Sequence, residues 1–598
     1  MSVSPSPEPA LETTARIAAT APAVAELAAA FAEREHLPGL AYGVVAAGRL
    51  VYAGATGHAD LATAAPADAG TLFRIASMTK SFTAAAILQL RDAGQLALDD
   101  PVARHIPELA ALAYPTTDSP VLTVRHLLTM AAGWPEDNPW GDRQLALDDP
   151  AFARLLAAGV PFANAPDVHY EYSNLGYMIL GRIVAQVTGM SLQAYVDAHL
   201  LQPLGMTASC WNVETSNGRT MDRTVEHTVA KGYRRVDGAW VEDALALAPS
   251  AGDAAAFGGL YTSVHDLAKW VAFWLEAWPA RDDAETPVLR RSTRREMQRC
   301  ANLRLPVSGA HPVGAPTRYE AGGYAYGLFA WLSSDLGRIV GHAGGLPGFG
   351  SHMLWLPDHD VGVVALANLT YGHTVPIAVQ ILRHVVAHAH LTPRPVRPAA
   401  ALVDAQARVS HLLRQWDDAL ADDLFAANFF LDEPRDRWQA RLAELRTRHG
   451  ELHSDGAGEV TNPLRGSWTL RGERGWCRVT LTLAPTLPPR VQHLGIESIF
   501  PPDAAMQAAL SALLALTAAP SLRGVARIVD PQSDRRGVLA HLRVVNVLYG
   551  ACTLEQITGG DGAHATTARV RSEKGPLTVT ITLNPRTGKL TTVEFCAV

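Results

Sequence analysis

A serine and a lysine stand three positions apart just before a helical pattern. Ser77 and Lys80 belong to the run Phe73-Arg-Ile-Ala-Ser-Met-Thr-Lys80, and a helix is predicted over residues 81–93. Residues three apart at a helix start lie on one face, and a helix N-terminus carries partial positive charge and free backbone N–H groups. A serine there can act as a nucleophile that the lysine helps to deprotonate. Alone, the pair is equally typical of a helix start with an exposed lysine.

A tyrosine and an asparagine two positions apart form a second candidate pair. Tyr172 and Asn174 stand just before a helical pattern that begins at Gly176. Side chains at alternate positions of an extended segment point to the same side, so both can face one cleft. The segment also has the composition of a helix N-terminus, with Ser173 or Asn174 as the cap and Tyr172 as a packed aromatic residue. Taken alone, it favours the capping interpretation.

A histidine followed by small residues forms a third candidate segment. The run Gly341-His-Ala-Gly-Gly345 follows a strand-like stretch at 338–340. Small residues at the end of a strand allow a substrate to lie alongside as an additional strand. The backbone N–H groups of Ser77 and Gly345 can then act as an oxyanion hole. Taken alone, the run is more typical of a glycine-rich turn with a surface histidine.

The elements around these segments predict an α+β fold. Two apolar runs, 39–47 and 50–56, are separated by Gly48-Arg49 and predict a β-hairpin. Helical patterns and then strand-like runs follow, at 82–93, 124–130, 176–187, 191–200 and 264–275 for helices and at 327–331, 338–340, 350–356 and 362–368 for strands. This order predicts an antiparallel sheet whose first and last strands lie side by side, with helices inserted between them.

The C-terminal third contains an internal repeat. The run 471–485 matches the run 571–585 at eight of fifteen positions, and each follows a helix-like segment, 401–416 or 504–516. The repeat predicts two α+β modules, each a helix packed on a curved antiparallel sheet, most like cystatin or NTF2-type folds. One larger sheet formed by both copies is the alternative.

These patterns predict the following domain organisation. A Pro-rich stretch at 391–400 is expected to act as a stiff linker. The predicted parts are a disordered tail (1–14), a catalytic domain (15–390), this linker (391–400) and the two modules (401–500 and 501–598).

Composition excludes several classes of function. The chain has 598 residues, a net charge of −7 and a pI near 6.3, which argues against a nucleic-acid binder with a basic face. Its apolar runs are shorter than the roughly 18 residues that a membrane span needs, and its start does not resemble a signal peptide. The five cysteines are scattered and form no zinc pattern. We therefore expect a cytoplasmic protein with no metal, no cofactor, and no membrane or nucleic-acid partner.

Together, the three segments are far more specific than any one of them. The order Ser-x-x-Lys, Tyr-x-Asn, His-x-Gly, with separations of 95 and 170 residues, resembles the serine β-lactamase and penicillin-binding-protein superfamily. The segments 124–133, 201–206 and 258–270 are typical of its class-C-like branch, which includes class C β-lactamases, D-aminopeptidases, D,D-peptidases and esterases. The resemblance covers roughly residues 20–390 and implies a β-lactamase/transpeptidase-like domain.

The resemblance implies a role for each matched residue of the first two motifs. Ser77 is the nucleophile and forms an acyl-enzyme. Lys80 and Tyr172 share the proton transfers, with the tyrosinate form of Tyr172 as general base toward Ser77 and later toward water. Asn174 holds an amide group of the acyl portion.

The third motif departs from the pattern of many relatives. His342 stands where they have a lysine, which supplies a fixed positive charge for a substrate carboxylate. A histidine is about neutral at pH 7 unless a neighbour raises its pKa, so strong β-lactamase activity is less expected. Histidine at this place resembles the D-aminopeptidase-like branch. Gly344 and Gly345 are expected to line the substrate, with the N–H of Gly345 in the oxyanion hole.

Three functions are compatible with these residues. The first is a serine hydrolase of peptide or amide bonds, similar to D-aminopeptidases. The second is a carboxylesterase or weak β-lactamase, and the third is a sensor that is acylated without turnover. The intact Ser77, Lys80 and Tyr172 argue against the third. The expected partner is a small-molecule or peptide substrate, and the modules are expected to shape access to Ser77 or to form a homodimer.

Overall fold

The molecule consists of two compact units. The computed structural model describes residues 7–213, 215–216, 219–220, 228–246, 252–304, 320–456, 458–573 and 575–597. The division falls between Arg394 and Pro395, inside the predicted Pro-rich segment. Each unit has its own hydrophobic clusters, at residues 17–389 in the first and at 402–590 in the second.

The first unit alternates helices and strands along the chain. Its described α-helices are α1 (Pro7–Ala18), α2 (Ala21–Arg34), α3 (Lys80–Asp92), α4 (Val102–His105), α5 (Val124–Leu128), α6 (Asn138–Gly141), α7 (Asp149–Ala157), α8 (Asn174–Thr188), α9 (Leu192–Val196), α10 (Val264–Glu276), α11 (Arg291–Met297) and α12 (Thr374–His388). Its described strands are β1 (Gly39–Ala46), β2 (Arg49–Asp60), β3 (Ala65–Pro66), β4 (Phe73–Arg74), β5 (Thr215–Ser216), β6 (Arg219–Thr220), β7 (Tyr233–Val236), β8 (Ala239–Glu242), β9 (Tyr261–Thr262), β10 (Asn302–Arg304), β11 (Glu320–Tyr324), β12 (Phe329–Ser333), β13 (Gly337–Leu346), β14 (Phe349–Leu356) and β15 (Val361–Ala367).

One large antiparallel sheet organises the first unit. Its strand order is β10-β11-β12-β13-β14-β15-β1-β2-β3. The first strand, β1, pairs with the last, β15, with Gly43 opposite Val364. The predicted closure of the first strand against the last is therefore confirmed, as is the mixed fold with an antiparallel sheet flanked by helices.

Both faces of the sheet are covered. Successive side chains of a strand point to opposite faces. In β1, Ala41 and Val45 pack into the cluster of α3, α8 and α10, whereas Leu40, Tyr42 and Val44 pack into the cluster of α2 and α12. Every residue of β1 is buried, which explains why this strand reads as a continuous apolar run.

The N-terminal segment differs from its prediction. Helix α1 begins at Pro7, a favoured residue for a first helical turn. Arg16 Nη1 lies 3.1 Å from Glu12 Oε1, an ion pair across one helical turn. The predicted disordered tail 1–14 is therefore wrong from Pro7 onward, and residues 1–6 lie outside the described chain.

The second unit contains two copies of one pattern of helices followed by strands. The first copy comprises α13 (Ala400–Arg414), α14 (Asp418–Leu424), α15 (Phe429–Asp432), α16 (Arg435–His449), β16 (His453–Ser454), β17 (Glu459–Asn462), β18 (Arg465–Arg471), β19 (Trp476–Leu483) and β20 (Val491–Ile499). The second comprises α17 (Ala504–Ala518), α18 (Leu522–Ile528), α19 (Arg535–Tyr549), β21 (Cys552–Gly559), β22 (Ala565–Ser572), β23 (Gly575–Leu583) and β24 (Leu590–Ala597).

The two copies correspond element by element. Helices α16 and α19 have 15 residues each and begin 100 positions apart. Helix α15 is additional in the first copy, so the helices before it, α13 and α14, are offset by four more positions from α17 and α18. The copies form separate sheets of five and four strands rather than one larger sheet. Each contains several helices instead of the one predicted, and the likeness to cystatin or NTF2-type folds stays a prediction.

Apolar helices were compared with the length of a membrane span. Among the described helices, none is by itself long and apolar enough to cross a bilayer. Two bent pairs, Leu11–Ala18 with Ala21–Arg34 and Asn174–Thr188 with Leu192–Leu201, reach the required length and apolarity only as pairs.

Candidate active site

Ser77 lies at the entrance to helix α3. It belongs to a 3₁₀ turn, Ala76–Thr79, which continues into α3 at Lys80. Ala76 has a φ of +51°, a left-handed conformation that residues with a Cβ rarely adopt and that clusters at functional sites. Ser77 is 8% exposed and lines a cavity of about 640 Å³. The predicted nucleophile therefore faces a cavity from the N-terminal end of a helix.

Lys80 is fully buried beneath this cavity and contacts the serine. Its Nζ donates to Ser77 Oγ at 3.1 Å, to Asn174 Oδ1 at 2.6 Å and to the backbone carbonyl of Phe257 at 3.0 Å. These three acceptors fix the amine at the end of an otherwise flexible side chain. The predicted Ser-Lys pair is thus assembled, and the lysine is not the exposed residue of the simpler interpretation.

The charge state of Lys80 is set by burial. Removal from water lowers the pKa of its ammonium group from 10.5 to about 7, while the Asp142 and Asp137 carboxylates oppose this change. An amine with this pKa is partly neutral at pH 7, and the neutral form can accept the Ser77 proton.

Tyr172 lines the same cavity and lies over the lysine. Lys80 Nζ is 4.9 Å from the centre of its ring. Burial raises the pKa of the Tyr172 phenol well above 10, and hydrogen bonding with the Ser77 hydroxyl opposes this rise only in part. The phenol therefore stays protonated, so burial opposes the tyrosinate base that the resemblance implies and makes Lys80 the better proton acceptor.

Asn174 positions the lysine. Besides accepting from Lys80, its amide donates through Nδ2 to Asn138 Oδ1 at 3.0 Å, and the residue is completely buried. Both ends of the amide are therefore held by protein groups. Asn174 does not line the cavity. This position differs from the one needed to bind an acyl group, the role that the resemblance implies.

Asp137 fixes the start of helix α8. Its Oδ1 accepts from the backbone N–H of Asn174 at 2.7 Å and its Oδ2 from that of Leu175 at 2.9 Å. Ser173 is the N-cap and accepts from the N–H of Gly176, as the capping interpretation predicts. A carboxylate at a helix N-terminus is favoured by the helix dipole. Asp137 thereby holds the backbone that carries Asn174.

The third motif lies inside a strand rather than in a turn. Strand β13 continues to Leu346, and β14 pairs with it from Val340 to Leu346. On the other side, β12 pairs with β13 only as far as Gly341. From His342 onward no described strand pairs with that edge of β13. A substrate can therefore lie there as an additional strand.

Gly344 lies where β13 packs closely on the turn before the nucleophile. A Cβ at this position would lie 2.3 Å from the backbone carbonyl oxygen of Ile75 and 2.3 Å from Ser351 Oγ. The Ser351 hydroxyl donates to that carbonyl at 2.7 Å. Gly344 and Gly345 both line the cavity with Ser77. The glycine allows strand and nucleophile to approach each other.

His342 is buried, not at the surface. Its Nε2 lies 3.2 Å from the Tyr324 hydroxyl, and its Nδ1 lies 2.5 Å from the backbone oxygen of Ala343. Burial and, secondarily, the positive charge of Lys80 lower the pKa of His342 to about 3. The imidazole is therefore neutral at pH 7. It cannot provide the fixed positive charge that a lysine supplies at this place.

The cavity also contains residues that the sequence did not indicate. Asp142 and Tyr371 meet there, with the Tyr371 hydroxyl donating to Asp142 Oδ2 at 2.9 Å. Arg304 lines another part of the wall and lies 5.5 Å from the centre of the Tyr170 ring. No motif marks these residues, which are far apart in sequence and meet only in the folded chain.

Two tryptophans line a neighbouring cavity. Trp134 and Trp140 lie around a mainly apolar cavity of about 350 Å³. Glu136 lines both this cavity and the one at Ser77.

Comparison with known families supports the resemblance inferred from the motifs. A family model described as Beta-lactamase matches residues 24–387, which include Ser77, Lys80, Tyr172 and His342. This chain belongs to the beta-lactamase family. Members of this fold family are generally serine hydrolases, and the assembled Ser77–Lys80 pair fits that chemistry.

Individual relatives are distant. The protein Flp of Staphylococcus aureus strain N315 is 28% identical over 364 residues, covering 60% of this chain and 64% of its own. Penicillin-binding protein 4* of Bacillus subtilis strain 168 is 24% identical over 330 residues, covering 54% of this chain and 66% of its own. The chain thus spans less than two thirds of the length of each relative.

One solved structure resembles the whole chain. It is that of the octameric penicillin-binding protein homologue from Pyrococcus abyssi, with a TM-score of 0.50 and 17% identity. The alignment covers 97% of this chain and 98% of that chain. At this identity the likeness shows the fold alone, which is that of penicillin-binding-protein homologues.

Proposed function

We propose that this family member is a serine hydrolase that cleaves peptide or amide bonds through an acyl-enzyme on Ser77, in the manner of a D-aminopeptidase. The contact that supports this most directly is the 3.1 Å hydrogen bond between Lys80 Nζ and Ser77 Oγ. The lysine has the lowered pKa that a general base requires. A carboxylesterase or weak β-lactamase on the same scaffold is the alternative.

The proposed acylation uses groups from four residues. Ser77 Oγ attacks the substrate carbonyl carbon while its proton passes to the neutral amine of Lys80. The backbone N–H groups of Ser77 and Gly345 stabilise the negative charge on the carbonyl oxygen. As the C–N bond breaks, the protonated Tyr172 phenol gives its proton to the leaving amine and regains one from Lys80.

Deacylation repeats the same proton transfers with water. Lys80 accepts a proton from a water molecule that attacks the acyl carbon, and the ester bond to Ser77 Oγ breaks. The proton then passes to Ser77 Oγ, which restores the free enzyme. A neutral amine is required at the start of both halves.

The charges of the cavity support a preference for peptides over β-lactams. The neutral His342 offers no fixed charge to the carboxylate of a penicillin or cephalosporin. Arg304 lines the cavity and is the feature that favours the alternative, because a guanidinium binds carboxylates well. A β-lactam is therefore needed among the test substrates.

Four chromogenic substrates distinguish these functions: D-alanyl anilide, L-alanyl anilide, a short-chain ester and a cephalosporin. We expect turnover of at least one anilide, with a transient mass increase on the peptide containing Ser77. Turnover of the ester alone would establish the esterase instead. A stable cephalosporin adduct without any turnover would identify an acylated sensor.

Replacing Gly344 by alanine is expected to impair both packing and catalysis. The new Cβ would meet the backbone oxygen of Ile75 and Ser351 Oγ at 2.3 Å, and a backbone atom cannot turn away. We expect a loss of about 1–3 kcal/mol of stability and an activity loss on the order of tenfold or more, because β13 must move from Ser77. Melting temperature and kcat/KM measure the two effects.

Gly70→Ala is the matched control for this substitution. The nearest atom to a Cβ at Gly70 is Asp68 Oδ1 at 3.4 Å, an ordinary contact. We expect this variant to keep wild-type activity. A Gly344→Ala enzyme with wild-type activity and melting temperature would show that β13 and the serine turn do not need this close contact.

We also propose that the C-terminal modules pair two or more copies of this chain. The homologue from Pyrococcus abyssi, aligned over 97% of this chain, is octameric. Light scattering coupled to size-exclusion chromatography is expected to give a mass of at least two chains of 63.9 kDa each for the full-length protein. A variant that ends at Arg394 retains the hydrophobic clusters of the first unit and is expected to be monomeric. A full-length monomer would refute the proposal.

A further inference from the structure

One carboxylate of the active-site cavity makes no direct ion pair with a described lysine or arginine. Asp142 is 6% exposed and lines the cavity with Ser77. Its Oδ2 accepts from the Tyr371 hydroxyl at 2.9 Å. No hydrogen bond reaches its Oδ1 from the part of the chain that the structure describes. This oxygen is not fully enclosed by protein atoms, and it faces the cavity that Asp142 lines.

Lys80 is not a hydrogen-bonded partner of Asp142. Its amine donates to Ser77, Asn174 and Phe257, and these three bonds use every N–H of an ammonium group. The positive charges of Lys80 and Arg143 attract the Asp142 carboxylate through space, but neither side chain donates a described hydrogen bond to it. A buried carboxylate with a vacant oxygen is costly unless a cation pairs with it.

The other charges of the cavity also favour a cationic ligand. Among the described lining residues, Glu136, Glu171 and Asp142 carry carboxylates, whereas Arg304 alone carries a permanent positive charge. Glu136 is exposed to solvent, and its charge is correspondingly screened. Glu171 is only half-buried and accepts a hydrogen bond from Asn164 Nδ2 at 3.4 Å. Asp142 is therefore the lining carboxylate that is most shielded from water.

We infer that Asp142 Oδ1 binds the free ammonium group of a substrate's N-terminal residue, with Tyr371 holding the carboxylate in place. This inference rests on the proposed hydrolase function and adds a requirement to it. The acyl group transferred to Ser77 must carry a primary amine. The enzyme would then remove single residues from the amino end of a peptide and would leave blocked or des-amino substrates largely uncleaved.

Two anilides that differ only in the amine test this inference. Alanyl anilide, in the enantiomer that is cleaved faster, and propionyl anilide have the same acyl skeleton. We expect wild-type kcat/KM to be about 10- to 100-fold higher for the alanyl compound, the size of one charge-assisted hydrogen bond. Asp142→Asn should remove most of this preference by slowing the alanyl substrate. The readout is the ratio of the two kcat/KM values, because loss of the Asp142 charge also lowers the pKa of Lys80 and so affects both substrates.

Further variants separate charge recognition from structural damage. Asp118→Asn makes the same change at an exposed carboxylate and should keep the wild-type preference. Tyr371→Phe leaves the Asp142 charge in place but removes its hydrogen bond, so the preference should fall by a smaller factor. Circular dichroism verifies folding, and the wild-type ratio and the Tyr371→Phe ratio remain decisive if Asp142→Asn does not fold.

Three results would overturn the inference while leaving the proposed function intact. In the first, the wild type cleaves both anilides at equal rates. In the second, Asp142→Asn slows both anilides equally. In the third, Glu136→Gln rather than Asp142→Asn removes the preference for the alanyl compound. A separate reaction with p-nitrophenyl propionate, followed by mass analysis of Ser77, tests the proposed function itself. If Ser77 is not acylated by this activated ester, the hydrolase function fails as well.

Discussion

Ser77→Ala is expected to lower kcat/KM for every cleaved substrate by at least about 10⁴-fold, since no covalent intermediate can then form. Ser77 is the hydroxyl that lies 3.1 Å from Lys80 Nζ and opens to the cavity. The substitution removes one oxygen from a residue that faces a cavity, so the fold should persist. Steady-state rates, melting temperature and the intact mass after incubation with an ester measure the result.

A second serine one position after the lysine provides the matched control. Ser81 is also buried, and its Oγ donates to the backbone oxygen of Met78 at 2.8 Å and accepts from Trp270 Nε1 at 3.0 Å. Ser81→Ala should cost about 1–2 kcal/mol of stability through the unpaired indole, but leave the chemistry unchanged. If Ser77→Ala retained wild-type rates, or Ser81→Ala lost the adduct, another residue would be the nucleophile.

The architecture of the first unit was largely predictable because its sheet imposes a visible pattern. Strand β1 is buried on both faces and therefore reads as one apolar run, followed by a tight turn at Gly48 and its partner β2. The return of strand-like runs near the end of the unit implied pairing with β1, and β15 makes that pairing. The repeat also predicted two corresponding modules, because two segments of similar sequence fold into corresponding helices and strands.

Helices with mostly charged surfaces were harder to predict. In α16 the buried residues are Trp438, Leu442, Leu445 and His449, and charged side chains occupy most other positions. The apolar stripe is narrow because the helix packs against a small sheet with one face only. A helix of this composition is harder to detect in the sequence than one that is buried on most sides, such as α8.

At the active site the motifs identified the reacting groups, whereas the fold determined their electrostatics. Sequence spacing gave Ser77, Lys80 and Tyr172, but a tyrosinate base depends on the solvation of Tyr172, which only the packed structure reveals. The same holds for His342, whose run taken alone is typical of a surface turn but which is buried in β13. Asp142 and Tyr371 carry no local signal, since they meet across 229 positions of the chain.

Lys80→Met is expected to reduce kcat/KM by about 10²–10⁴-fold, the usual contribution of a general base. Methionine matches the length and burial of the lysine side chain and removes the amine. In the wild type, kcat/KM should fall as the pH drops below about 7, because the Lys80 amine becomes protonated and can no longer accept the Ser77 proton. The residual activity of Lys80→Met should lack this limb, which a pH–rate profile from 5 to 10 would show.

The stability of the same variant provides an independent check on the lysine. Because the pKa of Lys80 is lower in the folded chain than the ordinary value of 10.5, its burial costs most below about pH 7, and this cost disappears as the pH approaches 10.5. Wild-type stability should therefore gain on that of Lys80→Met between these values. Lys269→Met, at an exposed lysine, should keep the fall of kcat/KM below pH 7. Its stability relative to the wild type should not change between pH 7 and 10.5. A wild-type rate profile without a limb near pH 7, combined with full activity of Lys80→Met, would transfer the role of base to Tyr172.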